Sequence, residues 1–403
     1  MKKIIPFLAL ALLLAGCSET PIKQAGGLGT HTLPILQPDT AEAEDYSLVY
    51  DGRPIPAKTS SAVQLYPSKF SQLAGWEQDN HSEAMIAFRQ SCQRWRKMPA
   101  GKTMAGAFNL GSLADWGKLC AISVGSGEEK QFFETWFRPY AVAENGDTKG
   151  LFTGYFLPEL HGSYSRSERY NVPIYRQPSG KLAHYSRTQI YDGALEGQGL
   201  ELLWVDDLVD AFFMDVQGSG RIIMEDGSVK GVGYAGKNGK SYFAIGKELV
   251  DRGEIAKADV SMQTIRQWIK QHPDEGVQLM KKNASYVYFR FTDGNPSVGP
   301  TGAMGVPLTA QRSLAVDRHF LPLGIPIWLD AQHPAGGQRL KRLVMAQDTG
   351  GAIKGAVRGD FYWGQGSEAG QLAGPMKSRG RFYLLLPRDL YGDSSAEVAI
   401  RQN

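Results

Sequence analysis

Three aspartates stand where apolar runs give way to turns: Asp317 in SLAVDRHFLPLG, Asp348 in MAQDTGG and Asp360 in RGDFYWG. Such junctions are places where a rigid scaffold lets a side chain reach into a cleft. Asp is equally favoured there for local hydrogen bonding, so position alone does not separate catalysis from turn capping. Asp360 differs in running directly into Phe361-Tyr362-Trp363. A carboxyl buried beside aromatic surface stays protonated toward neutral pH, as a general acid must. The chemistry is therefore expected in Met345 to Gly366, where a glycine-rich connection joins Asp348 to Asp360.

Other chemistries find less support. Asp348-Thr349-Gly350 is the tripeptide of aspartic proteases, but those need two acids sharing a proton and no second copy exists, so a protease would have to be a homodimer. Gly236-Lys237-Asn238-Gly239-Lys240-Ser241 ends like a phosphate loop, yet the glycine that must open such a loop falls on Tyr234. The seven histidines contain no His-x-x-x-His pair and there is no Cys-x-x-Cys, so neither a metal nor another cofactor is expected. Gln217-Gly218-Ser219-Gly220 lacks the first glycine of a serine nucleophile elbow.

The chain that must position these acids has 403 residues, enough for two or three domains with their own cores. With 47 glycines, 21 prolines and 21% charged residues it suits a turn-rich, mainly β protein. A formal net charge of +3, from 44 basic and 41 acidic residues, does not call for nucleic acid. Lys2, Lys3 and the apolar run Ile4 to Leu14 form an export signal too short to span a bilayer. Leu14-Ala15-Gly16-Cys17 resembles the lipobox of bacterial lipoproteins. That resemblance implies a signal peptide over 1–16, a lipidated Cys17 and, because Ser18 rather than Asp follows, the outer membrane facing the periplasm. Residues 17–45 read as a polar tether. Cys92 and Cys120 remain, either as one disulfide or as two buried thiols.

A helix capped by Ser82 is predicted, with Met85, Phe88, Cys92 and Trp95 on one face. Further helices are predicted over Leu113 to Ala121 and Glu128 to Phe137, the latter closed by Pro139. From Gly150 short β-type runs follow: LFTGYFLPEL, VPIYRQP, LLWVDDLVDAFFMDVQGSG, RIIM and VKGVGYAG. A helical pair intervenes, with Ile265, Trp268 and Ile269 on one face and Pro273 opening the second helix. Tyr286 to Phe291, VPLTA, IPIWL, LVMAQD and RFYLLL complete the strands.

From TGYFLPEL, VPIYRQP, FFMDVQGSG, YAGKNGKSY, LVDRG, SMQTIRQW, VPLTAQRSLAVDRHFLPLG and AQDTGGAIKG, the chain resembles the membrane-bound lytic murein transglycosylase A family over roughly Ser82 to Leu386. Val306 to Leu386 resembles its three-aspartate domain. The resemblance implies a mainly β fold with peripheral helices (α+β). A double-psi β-barrel, 46–158 plus 286–395, would be interrupted by a second small β-barrel over 159–285. It also implies cleavage of the β-1,4 bond between N-acetylmuramic acid and N-acetylglucosamine in peptidoglycan without water, leaving 1,6-anhydromuramyl ends. Asp360 would be the catalytic acid and then base, Asp348 and Asp317 its neighbours. Thr153, Gly154, Tyr155, Gln217, Ser219, Tyr234 and Lys237 would face the groove, and cell-wall synthesis enzymes are conceivable partners. Two alternatives stay open: a two-carboxylate hydrolase of the same glycan and a silent glycan-binding lipoprotein.

Overall fold

The computed structural model describes Leu48 and residues 50–292 and 299–391. The expected signal peptide, Cys17, tether and extreme C-terminus lie outside them. The first part of the chain holds strands β1 (Ile55–Pro56) and β2 (Val63–Pro67), helices α1 (His81–Trp95), α2 (Leu113–Ala121) and α3 (Glu129–Trp136), then β3 (Phe137–Glu144) and β4 (Gly150–Leu157). The middle runs through β5 (Glu159–Ser163), β6 (Val172–Tyr175), α4 (Arg187–Tyr191), β7 (Glu201–Val205), α5 (Leu208–Gln217), β8 (Ser219–Met224) and β9 (Val229–Lys237). It ends with α6 (Ile245–Asp251), α7 (Met262–Gln271), α8 (Pro273–Lys282) and β10 (Val287–Phe291). The last part contains β11 (Ser313–Val316), β12 (Pro326–Ala331), β13 (Leu340–Asp348), β14 (Arg358–Gln365), α9 (Gly366–Ala373) and β15 (Lys377–Pro387).

Two sheets result. The larger has the order β1-β2-β3-β15-β12-β13-β11-β14-β4, and because β4 also pairs with β15, six of its strands close into a ring. β11 with β13 and β14 with β4 are parallel; β12 pairs antiparallel with both β13 and β15. Ring closure removes the unpaired edges that an open sheet would expose. Only Pro158 separates β4 from β5, so the chain passes directly from ring to second sheet, β10-β9-β8-β5-β7-β6. A single parallel bridge, Arg176 to Phe289, brings the two ends of that sheet together.

Helix α1 buries Met85, Phe88, Cys92 and Trp95, the predicted face, against the ring. Its cap is Asn80 rather than Ser82: Asn80 Oδ1 accepts from the Glu83 N–H, and the Ser82 hydroxyl donates to the same oxygen at 2.6 Å. Arg312, fully buried, pairs with Asp79 and Glu83 and donates to the Leu343 carbonyl at 3.1 Å, fastening the start of α1 to β13. A disulfide between Cys92 and Cys120, with Cα atoms 5.5 Å apart, ties α1 to α2.

Several boundaries differ from expectation. Helix α3 stops at Trp136 because Phe137 already takes extended geometry, and Pro139 lies inside β3 rather than closing the helix. The run DLVDAFFMDVQ is not a strand but α5: Asp207 caps it through the N–H groups of Val209 and Asp210, and Gly218 in the left-handed region ends it. VPLTA forms no strand, only the bridge Thr301 to Pro307. Strand β10 pairs antiparallel with β9 in the six-stranded sheet. The pair α7 and α8 forms as predicted, with Ile265, Trp268 and Ile269 buried and Pro273 at the first position of α8.

Candidate active site

The ring places a row of residues side by side. Ala315 on β11 is in register with Asp348 on one side and Asp360 on the other, and Asp360 is in register with Thr153, which faces Lys377. Neighbouring strands lie ~4.8 Å apart, so the two acids are separated by one strand, roughly 10 Å between their Cα atoms. Residues in register share a face of a sheet. Both carboxyls therefore belong to one surface.

Their hydrogen bonds differ. Asp348 accepts from the Ala303 N–H at 2.8 Å and from the Tyr155 hydroxyl at 3.1 Å. Burial pushes its pKa up, while the N–H groups of Ala303 and Thr349 and the Tyr155 hydroxyl oppose the rise; it ends above the ordinary Asp value. Among the described residues the Asp360 carboxyl accepts a single bond, from the Thr153 hydroxyl at 2.6 Å. Burial raises it to about 6, against the opposing pull of Thr153 and the Arg358 guanidinium and with the help of Asp348 nearby. A carboxyl in dense surroundings, partly open to solvent and with one donor, is suited to holding a proton and releasing it to a ligand. Tyr155, its own pKa raised by burial and by both acids, stays a neutral donor.

The pleat sorts the three aromatics after Asp360. Phe361 and Trp363 belong to the main core and meet edge to face at 4.9 Å. Tyr362 falls on the side of Asp360, packing with Leu157, Leu308 and the ring of Tyr155 at 5.2 Å. Of the aromatic run, Tyr362 is thus the one beside the carboxyl.

Asp317 has different company. Its oxygens accept from the N–H and ring of His319 and, at 3.0 Å, from the Gly355 N–H. Burial works upward, but these donors and Lys354 hold its pKa below the ordinary value. It bonds to neither of the other acids. Its anchoring of Gly355, whose φ is +123°, fixes the loop that leads into β14.

Among the expected groove residues, Thr153 and Tyr155 touch the acids directly. Gln217, at the end of α5, accepts from the Phe156 N–H at 3.3 Å and so joins the inserted segment to β4 beside the site. Gly154 is required by packing: a Cβ there would lie 2.7 Å from Trp363 Nε1 and 2.8 Å from the Ala373 Cα. Ser219 opens β8 opposite Gly233, while Tyr234 and Lys237 are exposed on β9 without contact to the acids among the described residues.

Sequence reading missed two partners. Arg358 donates to Thr153 Oγ1 at 2.8 Å and also to the carbonyls of Leu151 and Gly359. Because its guanidinium can only donate, Arg358 occupies one lone pair of Thr153 Oγ1 and leaves the hydroxyl hydrogen free for Asp360. Its spacing of two from Asp360 in a strand was the available signal. The Ala303 N–H carried none, being backbone brought in by a loop.

Residues 151–290 match the family model described as the MltA specific insert domain, and residues 312–386 match that of the 3D domain. The chain is similar to the membrane-bound lytic murein transglycosylase A of Escherichia coli (strain K12), 42% identical over 253 residues covering 60% of this chain and 67% of that protein. It is 38% identical to the protein of that name from Vibrio cholerae over 249 residues, 60% of this chain and 67% of that one. Among solved structures, a membrane-bound lytic murein transglycosylase from Agrobacterium tumefaciens superposes with a TM-score of 0.70 at 35% identity, covering 80% of this chain and 98% of that chain. E. coli MltA with bound chitohexaose gives 0.63 at 30% identity, covering 85% and 95%.

Proposed function

The chain belongs to the membrane-bound lytic murein transglycosylase A family, and from that premise we propose how it acts as a lytic transglycosylase on peptidoglycan. The bond cut is the β-1,4 link between N-acetylmuramic acid and N-acetylglucosamine, and the product carries a 1,6-anhydromuramyl end. Protonated Asp360 gives its proton to the leaving glycosidic oxygen as the bond from C1 breaks. The resulting carboxylate then takes the proton of the muramyl 6-hydroxyl while O6 bonds to C1. Since the nucleophile is already held by the sugar ring, one carboxyl can act twice where ordinary glycosidases use two. Asp348, held by Ala303 and Tyr155, is placed to steady positive charge at C1. Thr153 orients Asp360 throughout.

The observation that carries this reading is the pair of unequal carboxyls on one face of the ring, of which Asp360 has one donor and a pKa of about 6. The test is mass spectrometry of digested murein. Asp360→Asn is expected to lose about 10²- to 10⁴-fold in turnover, the usual worth of a general acid, while still binding glycan. Reducing rather than anhydro ends from the unaltered protein would instead indicate a hydrolase using Asp348 and Asp360 as a pair. Substantial activity in Asp360→Asn would move the acid elsewhere.

The same reading extends to the rest of the molecule. The closed six-stranded ring is the core of a double-psi β-barrel, with 159 to about 291 as a second barrel inserted in it. The groove includes Tyr234 and Lys237 on β9 and Ser219 on β8, beyond the residues touching the acids. Association with the membrane is through lipid on Cys17 at the outer membrane, with cell-wall synthesis enzymes within reach as partners. Among the described residues no helix is long and apolar enough to cross a membrane.

A further inference from the structure

A cavity of about 230 Å³ opens where the end of α1 meets the turn at Met304. Its floor is apolar, with Trp95 and Met104 buried in it, while Arg94, Lys102 and Arg318 supply its charge and no acid among the described residues lines it. Among the described residues, the side chains of these three cations form no ion pair or hydrogen bond. The acids nearest in sequence are engaged elsewhere: Glu83 pairs with Arg312, Asp115 accepts from Ser112, and Asp317 from Gly355 and His319. The cavity also abuts the active site. Ala303 lines it and donates its N–H to Asp348 at 2.8 Å, and Met304 N–H donates to the Gln347 carbonyl at 3.0 Å.

We propose that this cavity receives the carboxylate-bearing peptide stem of a muramyl residue beside the cut, an inference that rests on the peptidoglycan reading above. Three unpaired cations over an apolar floor complement a short chain bearing carboxylates and small aliphatic groups. The stem hangs from the same sugar class whose C1 reacts, so glycan bound at Asp360 presents it at high effective concentration. A stem seated there presses on residues 303 and 304, whose N–H groups hold Asp348 and its neighbour.

The experiment uses the full chain in detergent, with glycan strands bearing stems and the same strands enzymatically stripped of them. The unaltered protein is expected to prefer stem-bearing strands. Arg94→Gln combined with Lys102→Gln should lower kcat/KM on those strands about tenfold or more, two charge-assisted contacts being lost, and leave stripped strands unaffected. Equal losses on both substrates, or no loss on either, would overturn the assignment. Calorimetry adds a second reading: free stem peptide should bind the unaltered protein and not the double variant. Binding of decanoate but not of peptide would assign the cavity to a free amphiphilic carboxylate and overturn the stem. Absence of anhydro ends from both substrates with the unaltered protein would instead remove the reading of the reaction itself.

Discussion

On the proposed mechanism Asp360 must be protonated at the start, and its pKa is raised to about 6, so kcat/KM is expected to fall about tenfold per pH unit above that value. Arg358 and Asp348 pull that pKa in opposite directions. Arg358→Met should move the alkaline limb to higher pH, Arg358→Lys less so, and Asp348→Asn should move it to lower pH; pH–rate profiles of the three variants check the signs. The same group bears on stability. Its folded pKa, about 6, lies above the ordinary 3.8, so the charged form burdens the fold above about pH 6 and the burden is absent below about 3.8. With partial exposure reducing the effect, Asp360→Asn should gain about 1 to 2 kcal/mol at pH 7 to 8 and nothing near pH 4, measured by denaturant melts. A gain of equal size at both pH values would contradict the assigned pKa. The place of Asp360 before a run of aromatics was legible in the sequence; the donors that set it apart from Asp348 were not, because Thr153 and Tyr155 arrive from a strand about two hundred residues away.

At the scale of elements, α1 packs against β13, the strand that ends in Asp348, and its link to α2 is covalent. Cys92 and Cys120 are 28 residues apart, and closing a loop of that length in the unfolded chain is worth about 3 to 4 kcal/mol. Changing both cysteines to Ser should cost about that much in a denaturant titration, with no further loss when reductant is added. Periodicity identified both helices, since a 3.6-residue stripe is a local property. It failed at α5, which was read as part of one long β-type run although Asp207 and Gly218 mark a helix at either end. It failed also at VPLTA, whose composition suits a strand but whose neighbours offer it a single bridge. Strand formation depends on a partner, and partners are not local.

For the whole molecule, the polar stretch before residue 46 and the lipobox-like Cys17 imply a catalytic unit held at a membrane. Cys17→Ala is expected to move the protein from the detergent phase to the aqueous phase on partitioning while leaving turnover unchanged; retention in the detergent phase would contradict anchoring through that cysteine. Residue order alone was enough for three candidate acids, the glycine-rich connection between two of them, the amphipathic helices and the family likeness, because each is written in neighbouring residues. Only the folded chain decided which acids meet. Ring closure through β4 and β15 sets Asp348 and Asp360 on either side of Ala315, brings Thr153, Arg358 and Ala303 to them, and leaves Asp317 bonded to Gly355. Those contacts depend on register between strands distant in sequence, and a carboxyl's pKa follows from the burial and donors that register supplies.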